Sequence, residues 1–504
     1  MAKTICLYFE IHQIIHLKRY RFFEIGRDHY YYDDFENERS INDIAERSYV
    51  PALKTLIEMA HENDKYFKVA LSLSGVGLEQ LETHAPQVID LLQELNQTGC
   101  VEFLCEPYSH GLASLANQES FREECLRMKS KIKELFGHTP KVFRNSSLIY
   151  SDDIGAQVAD MGFKGMLTEG AKHILGWKSP HFIYNCATAP SLKLLLRDYK
   201  FSDDLSLRFN NSDWNEYPLF ADTYADWISQ LPEGENVINI FMELCALGIF
   251  QPLSSRILDF LRALPKCCRE RGITFSTPSE LCSSKNKSVG PLTVPYPISW
   301  VDEERDTSCW LGNQMQREAF DKLYSVADRI RICRDRRLKQ DWDYLQASNN
   351  FRFMTTKNNS VSMSRGIYDG PYDAFTNYMN IIGDFVTRVN NYYPETENEE
   401  LSALLTTIRN QEDELALKDK EIEKLQKTVQ LLGGKVPAPA KKAPAKKATP
   451  AKKAEPKAAP ATPKAEPAEK PTAKKAAPAK KTEEPKAAPA KKATANKATP
   501  KAKK

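Results

Sequence analysis

Lys3-Thr4-Ile5-Cys6-Leu7-Tyr8-Phe9-Glu10-Ile11-His12-Gln13 is a short, strongly apolar run that turns polar at its end. Such a run reads as a buried strand, and the polar residues closing it sit at the strand's carboxyl end. Similar runs recur at Phe67–Ser72, Cys100–Leu104, Lys141–Arg144, Gly165–Thr168, Leu192–Leu196, Val237–Met242 and Ile273–Phe275. Between them lie longer amphipathic segments, among them Ile44–Asn63, Leu78–Gln97, Ser120–Leu135 and Ser254–Arg271. Strand and helix patterns that alternate in this way belong to α/β proteins in which parallel strands are linked by helices. About seven or eight alternations over residues 1–290 predict a closed TIM-like barrel rather than a small open sheet. In such a barrel the chemistry collects at the carboxyl ends of the strands, and candidate functional residues are sought there.

Residues 291–392 read differently. Met315–Arg337 has a long helical pattern and Trp342–Asn350 a shorter one. Pro371–Val389 places Phe375, Tyr378, Met379 and Ile382 on one face. A mainly helical domain packed on the barrel is expected. Within residues 396–434, positions seven apart are Leu401, Ile408, Leu415, Ile422 and Val429, interleaved with Leu404, Gln411, Lys418, Leu425 and Leu432. That heptad pattern predicts a coiled coil, with self-association through residues 401–432, ended by Gly433-Gly434.

The last segment, Lys435–Lys504, contains 21 Lys, 5 Glu and 13 Pro and no aromatic residue. It cannot bury enough surface to fold, so a disordered basic tail of net charge +16 is expected. The whole chain carries only +3, so the preceding residues carry −13. An acidic globular part and a basic arm make a modular chain, not one uniform globule. The arm resembles the Lys/Ala/Pro tails of linker histones and would attract nucleic acid or another polyanion by counterion release. A solubilising spacer, or a partner for the acidic body, fits its composition as well.

Eleven Cys without metal-ligand spacing read as core thiols rather than a disulfide framework. No long apolar segment supports export or a membrane span, so a cytoplasmic protein is expected. No phosphate-cradling glycine loop or metal-site spacing is present, and no cofactor and no metal are predicted.

Several segments, in order along the body, resemble glycoside hydrolase family 57, the α-amylase and 4-α-glucanotransferase group. They are Tyr8-Phe9-Glu10-Ile11-His12-Gln13, Ser74-Gly75-Val76-Gly77-Leu78-Glu79, Glu106-Pro107-Tyr108-Ser109-His110, Leu175-Gly176-Trp177, Ser202-Asp203-Asp204, Trp310-Leu311-Gly312-Asn313 and Pro371-Tyr372-Asp373. The resemblance implies an incomplete (β/α)7 barrel followed by a helical region, and an α-glucan or maltooligosaccharide ligand. It also implies a retaining mechanism, which uses a carboxylate nucleophile and a carboxylic acid/base about 5 Å apart.

The motifs depart from the family where that chemistry belongs. The segment Phe143-Arg144-Asn145-Ser146-Ser147-Leu148 has Ser147 at the position of the nucleophile Glu, and Glu243 stands at the acid/base position. Cys245, Ile249 and Phe250 replace polar positions beside Glu243, and Ser348-Asn349-Asn350-Phe351 replaces a Ser-Asp-His-Phe motif. The expected substrate-binding residues are His12, Gln13, Glu79, His110, Arg144, Trp177, Asp203 and Asp204. The leading expectation is therefore a catalytically impaired α-glucan-binding or scaffold protein. Two alternatives are an active hydrolase or transglycosylase that uses Glu243, and a nucleic-acid-associated protein acting through its tail.

Overall fold

The structure is a computed structural model that describes residues 2–357 and 367–392, with Thr407, Ile408, Gln411, Leu415, Lys418 and Ile422. The basic tail and most of the heptad segment lie outside the described residues.

Among the described residues there are ten strands: β1 (Thr4–Ile11), β2 (Val69–Leu73), β3 (Val101–Leu104), β4 (Val142–Arg144), β5 (Gly165–Glu169), β6 (Ile183–Cys186), β7 (Lys193–Arg197), β8 (Val237–Glu243), β9 (Thr274–Phe275) and β10 (Pro291–Leu292). β1 is central, with parallel partners β2 and β8 on its two sides. β2 continues to β3, and β4 to β5 and β7, all parallel. Two narrow joints close the circuit, Cys105 against Phe143 between β3 and β4 and Arg197 against Asn239 between β7 and β8. Seven parallel strands thus form the barrel expected from sequence. β6 breaks the pattern by pairing antiparallel to β7, and β10 extends it outward.

The helix boundaries differ from the sequence reading for identifiable reasons. Leu78–Gln97 is two helices, Gly75–His84 and Pro86–Gln97. Pro86 has no N–H to continue the first helix and instead opens the second. Met315–Arg337 is likewise not one helix. It divides into Gln314–Tyr324 and Ala327–Ile332, and a new helix, Arg336–Leu345, begins when the Asp335 side chain accepts from the N–H groups of Arg337 and Leu338. These short helices, with Ser348–Arg352 and Pro371–Tyr392, form the helical part of the protein. Among the described residues no helix is long and apolar enough to cross a membrane.

Because side chains alternate along a strand, Tyr8 and Glu10 of β1 share a face. Tyr8 stacks on Phe241 of β8 at 5.2 Å between ring centroids, below a layer of charged residues at the strands' carboxyl ends.

Candidate active site

Glu10, Arg144 and Glu106 come from the ends of β1, β4 and β3 and are all fully or nearly fully buried. Arg144 grips Glu10 with both terminal nitrogens, at 2.6 and 2.7 Å, and reaches Glu106 at 3.3 Å. Its guanidinium also lies 4.8 Å from the Phe241 ring centre. His110 Nδ1 lies 3.2 Å from both Glu10 and Glu106, and Ser72 donates to Glu106. Burial pushes the Glu10 carboxyl up to about 6, against the pull of Arg144 and His110. For His110 burial opposes the charge, but Glu10 and Glu106 outweigh it and hold the ring above its ordinary value.

Glu10, Glu106 and His110 each offer a ligand atom, all within 4.8 Å of one another. Arg144 already provides the positive charge those carboxylates need, so a metal ion would have to displace a bidentate guanidinium. The donor set therefore does not fit a metal centre.

His12 stacks on His110 at 4.0 Å. Gly77 N–H donates to Ser74 Oγ, so the Ser74 hydroxyl is left to donate to His12 Nδ1 at 2.8 Å; His12 Nε2 then donates to Asn349 Oδ1 at 3.2 Å. Burial, and then the charge of His110, hold His12 well below its ordinary pKa, so the ring is neutral. Both of its nitrogens are taken by the protein. Gln13 is also fixed, donating to the Tyr49 hydroxyl at 3.0 Å.

A cavity of about 310 Å³ opens beside this cluster, lined in part by His12, Ser147, Glu243, Trp310, Asn349 and Arg352. Ser147 reaches it on a turn after β4 in which Ser147 (φ 50°) and Leu148 (φ 56°) are both left-handed. Neither residue is Gly, so the turn is strained, and it is held by Asn145, which donates to Ile149 O at 2.9 Å and Ser114 Oγ at 3.0 Å. Glu243 ends β8 in register with Glu10 of β1. Among the described residues its side chain accepts from the Cys245 thiol alone, at 3.4 Å.

The remaining candidates from sequence lie elsewhere. Glu79 accepts from Tyr108 and, at 2.6 Å, from Tyr344, and lines a separate cavity of about 580 Å³ with Arg127 and Asp343. Asp203 belongs to a second buried cluster: Arg197 at the end of β7 binds Glu169 at 3.1 Å and also Asp203, which Arg305 reaches at 3.3 Å. Asp203 lines a third cavity, of about 610 Å³, together with Tyr199 and Trp300. Asp204 is buried against Arg208 at 2.5 Å. Trp177 is 92% exposed and lines none of these three cavities. Sequence reading missed Arg352 entirely and quoted Glu10 only as part of a motif. The shared parity of Tyr8 and Glu10 along β1 was the available signal for Glu10.

A parallel barrel whose strand ends gather carboxylates and guanidiniums at one mouth, followed by a helical region, is the architecture of a barrel-type enzyme fold with its site at the strands' carboxyl ends. The sequence profile of glycosyl hydrolase family 57 matches residues 6–295, more than half of the chain, and the chain belongs to that family. A Methanocaldococcus jannaschii protein named "Putative alpha-amylase" is 36% identical over 397 residues, which span 75% of this chain and 83% of that protein. The fold resembles that of the Thermococcus litoralis 4-α-glucanotransferase (TM-score 0.57, 13% identity), covering 78% of this chain and 60% of that one. It also resembles the family 57 branching enzyme of Thermococcus kodakaraensis (TM-score 0.56, 14% identity), covering 80% and 94%.

Proposed function

We propose that this chain is an α-amylase-like member of family 57 in carbohydrate metabolism that binds α-glucan at the 310 Å³ cavity and is impaired in hydrolysing it. The observation that carries this reading is Ser147. Ser147 stands where the family resemblance expects the nucleophile, and its left-handed turn brings a neutral hydroxyl to the cavity. A retaining glycosidase needs a carboxylate there, and a serine would need a base within hydrogen-bond reach to act as a nucleophile. The other carboxylates at the mouth do not stand in for it, because Glu10 and Glu106 are engaged by Arg144 and His110. Glu243, at the acid/base position, is left without that partner. His12, Gln13 and His110 shape the cavity wall through protein hydrogen bonds, and Arg144 braces it from behind.

Eleven free thiols support a reducing, cytoplasmic setting for this reading. Leu415 and Ile422, helical and 61% and 51% exposed, support self-association through the heptad segment. Affinity of the basic arm for nucleic acid or another polyanion rests on its composition alone.

Titration calorimetry with maltoheptaose tests the reading, combined with analysis of the same samples for released products. Saturable binding without release is expected. Absence of binding overturns the glucan assignment, and release that disappears in Glu243→Gln overturns the impairment.

A further inference from the structure

Arg352 stands at the end of the short helix Ser348–Arg352 and is 8% exposed. Its Nε and Nη2 are buried without a hydrogen-bond partner, and it forms no ion pair among the described residues. Arg144 and Arg197, the other buried guanidiniums at this mouth, leave only Nε unpaired and bind carboxylates through their terminal nitrogens. A buried charge left unpaired is costly, and what the cavity reaches is the small accessible remainder of the Arg352 side chain rather than Nε or Nη2.

The neighbouring groups define what fits. Of the charges that act on Arg352, Glu243 comes first, and both residues line the 310 Å³ cavity, yet they are not ion-paired with each other. Among the described residues Glu243 accepts only from the Cys245 thiol. Asp302 Oδ2 accepts from Lys357 at 3.2 Å and from the Cys309 thiol at 2.9 Å, while its Oδ1 is buried without a partner. Asn349 Oδ1 is occupied by His12. The wall therefore combines an uncompensated cation in Arg352 with an under-used acceptor in Glu243. An anionic group would satisfy Arg352 and be repelled by Glu243, and an ammonium would do the reverse. Neighbouring hydroxyls satisfy both, because a hydroxyl accepts through its lone pairs and donates through its proton. Trp310, Ile249 and Phe250 supply apolar wall for the face of a ring, and the volume falls at the small end of ligand sites.

We propose that Arg352 is the ligand-anchoring, specificity-determining residue of this cavity, which with Glu243 holds adjacent hydroxyls of an uncharged hexose unit. This rests on the glucan reading above and names a residue that carries it. It also bears on turnover. Retaining glycosidases pass through a transition state of positive, oxocarbenium character, and Arg352 adds positive charge to the cavity in which Ser147 has replaced a negative group.

The test is calorimetric titration of the full chain with maltotriose and, separately, with glucose 1-phosphate as an anionic probe. Wild type, Arg352→Lys, Arg352→Met and Glu243→Gln are compared, with thermal melting to verify that each is folded. Maltotriose affinity is expected to fall at least tenfold in Arg352→Met and less in Arg352→Lys, and to fall in Glu243→Gln. Unchanged affinity in folded Arg352 variants, with wild type binding, overturns the role of Arg352 and leaves the glucan reading standing. Tenfold tighter binding of glucose 1-phosphate than of maltotriose overturns the uncharged-ligand assignment. Failure of wild type to bind any maltooligosaccharide overturns the glucan reading, and this assignment falls with it.

Discussion

Arg144 and Arg352 are guanidiniums of similar burial at one barrel mouth, and they are treated in opposite ways. Arg144 is held by both oxygens of Glu10 and by Glu106, whereas Arg352 has no protein partner for Nε or Nη2 and no ion pair among the described residues. A charge whose partners are supplied by the fold belongs to the architecture, since its removal strands two buried carboxylates. A charge without partners carries an uncompensated burial cost, so the fold does not depend on it. The barrel wall thus separates a self-satisfied brace from a guanidinium that the fold leaves without an ion pair among the described residues.

The strongest way to break this contrast is to remove the brace. Arg144→Met should lower unfolding free energy by about 3–5 kcal/mol, because it leaves Glu10 and Glu106 buried and uncompensated. Denaturant unfolding measures this, and a loss below about 1 kcal/mol would mean that the brace is not structural.

Glu124 sharpens the comparison from the acidic side. Burial pushes its carboxyl up to about 7, although the Ser109 hydroxyl and N–H both donate to it, at 2.6 and 3.1 Å. Its folded pKa lies above the ordinary carboxyl value of 4.5, so its favourable contribution is full below about pH 4.5. That contribution is lost as pH rises through about 7, a change on the order of 3 kcal/mol. Glu124→Gln should flatten the stability profile across that range. A profile as steep as that of wild type would assign the pH dependence to other groups, of which Glu10, raised in the same sense to about 6, is the first candidate.

Arg352→Met should give the smallest effect on stability, within about 1 kcal/mol of wild type or slightly stabilising, since no protein pair is broken. A loss comparable to that of Arg144→Met would erase the contrast. Ser147→Glu alone should leave hydrolysis undetected, because the cationic Arg352 and the apolar Cys245, Ile249 and Phe250 remain. Clear turnover in that variant would show a pocket intact apart from one residue.

The barrel was legible because β1, β2, β7 and β8 are mostly apolar runs that alternate with longer amphipathic segments. β6 was not, since Ile183-Tyr184-Asn185-Cys186 is too short and mixed to stand out before its pairing with β7 is known. The last break in Met315–Arg337, where Arg336–Leu345 begins, depended on the Asp335 cap, which a helical periodicity does not register. Within the site, Ser147 and Glu243 could be placed from motif order, and both line the cavity. Glu79 and Asp203 share motifs with the family, but side-chain partners draw them to separate cavities. Arg352 was invisible because its importance lies in the partners it lacks, which only packing reveals.

The most direct measurement is prolonged incubation of the wild-type chain with maltoheptaose at saturating concentration, followed by chromatographic separation of all oligosaccharides. Binding demonstrated in the same preparation, with maltoheptaose recovered unchanged, is the predicted result. Shorter or longer maltooligosaccharides that appear with wild type and vanish with Glu243→Gln would contradict it.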